Sequence, residues 1–96
     1  MNLDSIVLTL QKLKPELAQR FGVSSIGLFG SVVRDDFSET KSDIDIIVDF
    51  SKPIGVEFID LAEYLETIFH NKIDLVSKKS IKLKYYQKIE NDIMYV

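Results

Sequence analysis

The chain has no cysteine, no tryptophan, only two prolines and a single histidine in 96 residues. Without cysteine there are no disulfides and no thiolate metal sites. No apolar run approaches the ~20 residues that span a bilayer. The opening MNLDSIVLTL has an early acid and no basic leader, so it does not resemble a signal peptide. A cytoplasmic protein is the simplest expectation. An excess of positive charge is missing too, with 12 basic residues against 15 acidic ones and a net charge of −3. A polymeric nucleic-acid partner would favour a basic face. The only basic cluster is Lys78, Lys79, Lys82, Lys84 and Lys88. It reads as the solvated side of a helix, with docking of an acidic partner or of nucleotide phosphates as the alternative. No repeat, low-complexity tract or flexible linker is present, so residues 1–96 read as one small domain.

What is there is ordinary in bulk, with 46% apolar and 28% charged residues, and informative in its order. Leu3, Ile6, Val7, Leu10, Leu13 and Leu17 recur at helical spacing, with Asp4 or Asn2 as a cap and Gly22 as a stop. Pro15 lacks an amide donor, which predicts a break near Lys14 and a second short helix. VSSIGLF (23–29) reads as a first strand, GSVVRDD as a turn opening a short helix, and FSETKS (37–42) as polar loop. DIDIIVDF (43–50) alternates, with Ile44, Ile46 and Val48 on one face and Asp43, Asp45 and Ile47 on the other. Phe58, Leu61, Ala62, Leu65, Ile68 and Phe69 form the apolar stripe of a long helix that Asn71 is expected to end. KIDLVS (72–77) reads as a third strand. Ser80 is the expected cap of a last helix, and IMYV (93–96) reads as a short edge strand. The order predicts an α/β protein, a small sheet covered by helices. Periodicity leaves open whether its strands run parallel or mixed.

The chemistry concentrates in LFGSVVRDDFSETKSDIDIIVDF (28–50). Asp43 and Asp45 point to one side of a strand, about 7 Å apart along the chain. Ionised carboxylates in a sheet lose water and repel each other, unless a cation sits between them. Mg²⁺ accepts a few carboxylates together with phosphate oxygens and water. Asp74, in KIDLV, is a third acid inside an apolar strand. On a neighbouring strand it would reach the same face, and three carboxylates on two strands suit two ions about 4 Å apart. Gly30-Ser31 follows a strand. Glycine lets a ligand approach the backbone, free amides at a helix start attract anions, and the serine hydroxyl adds a donor. Arg34 lies one turn along and adds a cation. A phosphate cradle beside a metal cage describes the handling of a metal–nucleotide complex.

Each part alone has a plainer reading. Gly-Ser is often only a turn, edge strands carry outward acids, and Arg34 can pair with a neighbouring acid. Asp35, Asp36, Glu39 and Asp49 read as solvated loop or strand-end acids. His70 reads as structural or exposed, and Tyr85, Tyr86 and Tyr95 as packing residues. The ordered combination is what carries specificity.

GSVVR…SDIDIIV resembles the signature of the nucleotidyltransferase superfamily: Gly-Ser, a spacer, Asp-x-Asp, then an Asp on a later strand. The chain is most similar to the minimal nucleotidyltransferase (MNT) group, antitoxin partners of HEPN-domain toxins, and the resemblance spans nearly all of it. It implies a nucleotidyltransferase fold with a mixed sheet, ATP as substrate and two Mg²⁺ ions. By position, Gly30, Ser31 and Arg34 would hold the nucleotide phosphates. Asp43, Asp45 and Asp74 would ligate metal, with Asp74 helping to deprotonate the acceptor. The implied reaction transfers AMP from ATP to a tyrosine of a HEPN-type toxin. Val32, Val33 and Asp35 depart from the small or basic residues and the glycine common at those places. The alternatives are an antitoxin that neutralises by contact alone and a nucleotidyltransferase subunit acting on a small molecule.

Overall fold

The computed structural model describes residues 2–34 and 42–96. The expectations for the 37–41 loop and for Asp35, Asp36 and Glu39 lie outside these residues. α1 (Leu3–Phe21) starts where Asn2 Oδ1 accepts the Ser5 N–H at 2.9 Å, so Asn2 is the cap. It stops at Gly22, whose φ of 72° lies in the left-handed region that favours glycine. The predicted break at Pro15 does not occur, and α1 runs through it as one helix of 19 residues. Pro15 faces solvent. Leu10, Leu17 and Phe21 remain buried on the opposite side, so packing on both flanks of the proline offsets its missing hydrogen bond.

β1 (Val23–Phe29) follows directly. A 3-10 turn over Gly30–Val33 then takes the place of the expected short helix, and β2 covers Ile44–Phe50. α2 (Glu57–Phe69) ends at His70 rather than Asn71, with φ 52° at His70 and its N–H donated to Glu66 O at 2.8 Å. Histidine is one of the few side chains that enters the left-handed region with any frequency. β3 (Ile73–Ser77), α3 (Leu83–Ile89) and β4 (Met94–Tyr95) complete the order. Ser80 does not cap α3. Its N–H and that of Ile81 both bond Ser77 O at 3.0 Å, which uses Ser80 in a turn before the helix begins. The lysine cluster is correspondingly not one helix face, because only Lys84 and Lys88 lie on α3.

The sheet is mixed, in the order β3-β2-β1-β4, with β2 and β3 parallel and both other pairs antiparallel. Helices α1 and α2 cover one face. There Ile6, Leu10 and Leu17 meet Leu61, Leu65 and the inward residues Ile26, Leu28, Ile44 and Ile46, all at most 1% exposed. The second face is covered in part by the C-terminal segment. Ile93 and Tyr95 occupy the space a side chain at Gly27 would need, and Phe29 and Ile47 are buried. Of the expected packing residues, Tyr85 and Tyr95 are 44% and 48% exposed, so they pack at the surface rather than in the core. The Lys78 ammonium lies over both Tyr86 and Tyr95, 5.9 and 5.5 Å from the ring centres. Among the described residues, no helix is long and apolar enough to cross a membrane.

Candidate active site

The register decides where the acids meet. Asp45 pairs with Phe29 on one side and with Asp74 on the other. Paired positions present their side chains on the same face, so the two carboxylates stand side by side at the end of the second face. Asp43 immediately precedes β2 and is partly buried, as is Asp45, while Asp74 is exposed. Burial, the repelling Asp74 carboxylate and a hydrogen bond shared with it push Asp45 up to about 6, with a further contribution from Asp43. Arg34 acts the other way, so its guanidinium is close enough to stabilise the carboxylate. An acid pair that holds a proton this tightly is one whose repulsion a cation would relieve.

Gly30 connects the turn to the acids. Its φ is 73°, and a Cβ built there would collide with Asp45 Oδ2 and stand 3.0 Å from Asp45 Cγ. Only glycine permits both the backbone conformation and the contact. The Gly-Ser turn is therefore pressed against the metal-binding candidate Asp45. Ser31 is the next residue, its carbonyl accepting the Arg34 N–H at 3.1 Å, which closes the turn and sets Arg34 at its exit. Val32 is buried in the core and Val33 packs on it. These two departures from the signature therefore anchor the turn from behind.

Asp45, Asp74 and Gly30 are thus brought into contact, with Asp43 and Arg34 acting on Asp45 from nearby. Among the described residues, no three acidic or imidazole side chains already converge on a single ion position. The donor set is nonetheless that of a hard divalent cation: carboxylate oxygens, with the turn backbone held close to one of them. Sequence reasoning missed Glu66. Its Oε2 accepts the Ile73 N–H at 3.1 Å and fixes the start of β3 one residue before Asp74. No spacing rule reveals such a cap, because it links a helix to a strand that only the fold brings together.

Residues 10–96 match the nucleotidyltransferase domain family. The chain belongs to that family. Among its relatives is the protein adenylyltransferase MntA of Thermococcus cleftensis, 42% identical over 97 residues, covering all of this chain and 97% of that one. A candidate protein adenylyltransferase of Methanocaldococcus jannaschii is 46% identical over 91 residues, 91% of this chain and 90% of the other. Among solved structures, a candidate minimal nucleotidyltransferase superposes with a TM-score of 0.81 at 23% identity, covering 98% of this chain and 95% of that one. A toxin–antitoxin structure with AMP-PNP gives 0.72 at 23% identity over 99% and 72% of the two chains. The complex of a tri-AMPylated Shewanella oneidensis HEPN toxin with its MNT antitoxin gives 0.63 at 22% identity, over 98% and 67%. The mixed sheet is that of the minimal nucleotidyltransferase fold, and the protein is a nucleotidyltransferase.

Proposed function

We propose that this nucleotidyltransferase transfers AMP from ATP to a tyrosine hydroxyl of a HEPN-type partner toxin, acting as its antitoxin. The observation that carries the reading is the juxtaposition of Asp45, Asp74 and the Cβ-less Gly30 turn. The relatives named as protein adenylyltransferases, and the solved HEPN–MNT complex, support the choice of a protein acceptor.

The chain's own groups divide the work. The Gly30–Ser31 backbone amides and the Ser31 hydroxyl hold phosphate oxygens, and Arg34 adds positive charge at the turn exit. Asp43, Asp45 and Asp74 would hold one or two Mg²⁺, which supply charge neutralisation for the carboxylates and the triphosphate. Asp74, the exposed member, accepts the proton of the acceptor hydroxyl. The hydroxyl oxygen bonds to the α-phosphorus, the bond from that phosphorus to the bridging oxygen breaks, and pyrophosphate leaves with the electron pair. Asp43→Asn, Asp45→Asn and Asp74→Asn should each abolish transfer of labelled AMP to the partner while the far-UV spectrum stays unchanged. Labelling that persists in the Asp45→Asn protein would overturn the assignment.

A second reading, neutralisation by binding alone, draws on the acids not already converging on one point among the described residues. The same variants separate the two. If they silence labelling yet still protect cells from the toxin, binding suffices.

A further inference from the structure

One cleft of the described residues lies away from the acids. It has a volume of about 460 Å³ and runs along the outer side of β3, between Phe58 at the start of α2 and Tyr85 of α3. A second cleft of about 400 Å³ adjoins it, since Ile54, Ser77 and Ser80 line both. The two halves differ chemically. Phe58, Leu75 and Ile81 line the first alone, whereas the second adds Ser51, Lys52 and Lys79 beside Phe50 and Pro53. Among the described residues, every charged side chain lining the pair of clefts is a lysine: Lys82 in the first, Lys52 and Lys79 in the second. That is notable in a chain with a net charge of −3.

The backbone of β3 adds a direction. Ile44 N–H bonds Lys72 O at 2.9 Å and Lys78 N–H bonds Val48 O at 2.8 Å. In a parallel ladder this turns the amides and carbonyls of the even-numbered β3 residues toward β2 and those of Ile73, Leu75 and Ser77 outward. The outward groups at the ends are used already: Glu66 holds the Ile73 N–H, and Ser80 and Ile81 donate to Ser77 O. The Leu75 N–H and C=O are the pair at the centre of the edge, and they open onto the apolar half of the cleft. A polar row of this kind is a template for one more strand.

From these features we infer that the β3 edge and its lysine-flanked cleft form the docking surface for an extended, acidic segment of the acceptor protein. The segment pairs with Leu75, seats an apolar side chain between Ile54 and Ile81, and sets its carboxylates against Lys79 and Lys82. Charge complementarity favours this occupant over a second copy of the chain. An antiparallel pairing of β3 with itself about Leu75 would set Lys72 opposite Lys78 of the other copy, like charge against like. Leu75 adjoins Asp74 in β3 with its side chain on the opposite face, so it is the backbone of a strand paired along this edge that runs past the reacting carboxylate. The inference rests on the acceptor being a protein, as proposed above.

The test uses the full chain, labelled with ¹⁵N and titrated at low salt with a seven-residue peptide alternating glutamate and valine. The amide signals of Leu75, Ser77, Ile81 and Tyr85 should move, and those of α1 should not. A counterpart with lysine in place of glutamate should leave them still. The double variant Lys79→Glu/Lys82→Glu should weaken the glutamate peptide by roughly tenfold or more, as reversed charge pairs at a binding surface do. It should raise KM for the toxin acceptor without lowering kcat. Ile81→Asp should weaken the peptide independently. Movement elsewhere, equal response to both peptides, an equal response to a ten-residue oligothymidylate, or a dimer of the free chain with these signals already protected overturns the inference. If the peptide docks but no AMP reaches any partner, the proposed reaction fails and the docking surface stands. If labelled AMP is transferred while the peptide and the charge reversals have no effect, the docking surface fails and the reaction stands.

Discussion

At the residue scale, Gly30 and Asp45 form one unit. Replacing Gly30 by alanine forces a Cβ into the Asp45 carboxylate and strains a left-handed backbone, at a cost of about 1–2 kcal/mol for the conformation alone. Gly30→Ala should therefore lower the urea midpoint and abolish AMP transfer, since the carboxylate or the turn must move. Gly55→Ala is the control, as its notional Cβ meets only Glu57 Oε1 at 3.6 Å. The proton held by Asp45 gives a second expectation. Its carboxyl is raised from 3.8 to about 6, so between those values the folded protein binds more protons than the unfolded chain. The stabilising contribution is full below about pH 4 and is lost as pH rises through about 6. Metal-free protein should thus lose part of its stability across that window, whereas magnesium binding, which competes with the proton, should strengthen over the same range. Denaturation curves at pH 4.5 and 7 without metal, and calorimetry with Mg²⁺ at the same two values, read both signs. Asp45→Asn should flatten the first trend. The candidate acids were legible in the sequence because ionisable side chains among Ile44, Ile46 and Ile73 put charge into strands that otherwise read as apolar. The dependence of Gly30 on Asp45 was not, because it exists only once β1 and β2 are paired.

At the element scale, local rules succeeded where one residue's conformation decides the outcome and failed where packing overrides it. Asn2 and Gly22 bound α1 as capping chemistry requires. Pro15 did not divide it, because Leu10 and Leu17 on either side are both held in the core. The helix accordingly carries an unmade hydrogen bond at the carbonyl of Gln11, the fourth residue before the proline. A proline in a helix interior costs about 3 kcal/mol relative to alanine, part of which is recovered because proline also restricts the unfolded chain. Pro15→Ala should raise the unfolding free energy by about 1–3 kcal/mol, seen as a higher thermal midpoint, with AMP transfer unchanged because α1 lies on the face away from the acids. A fall in stability would mean that the proline conformation is actively used by the helix. His70 makes the complementary point. A left-handed cap filled by histidine is invisible to a search for glycine or asparagine, and the neighbouring Asn71 drew the boundary one residue too far.

At the scale of the whole molecule, strand order was the part that the sequence withheld. Ile44, Ile46 and Val48 alternate identically whether β3 joins β2 in parallel or antiparallel, so periodicity is silent on topology. The topology matters because the register that comes with it sets Asp74 beside Asp45. The layer that fixes this register is thin: α1 and α2 cover one face of a four-stranded sheet, and a chain of this length has a stability of only about 5–15 kcal/mol to lose. Leu65, fully buried between α2 and the sheet, is one of the side chains that hold it. Leu65→Ala should cost about 2–5 kcal/mol through lost burial and a cavity. Ile59→Ala, at a position on the same helix that is 60% exposed, should stay within about 0.5 kcal/mol. Urea unfolding of both proteins compares them directly. If the acids depend on global packing to stay in register, Leu65→Ala should also show a loss of AMP transfer that grows with temperature ahead of the unfolding midpoint. Ile59→Ala should track the parent protein at every temperature. Equal effects of the two substitutions on stability would contradict the assignment of α2's buried face as the element that holds the sheet together.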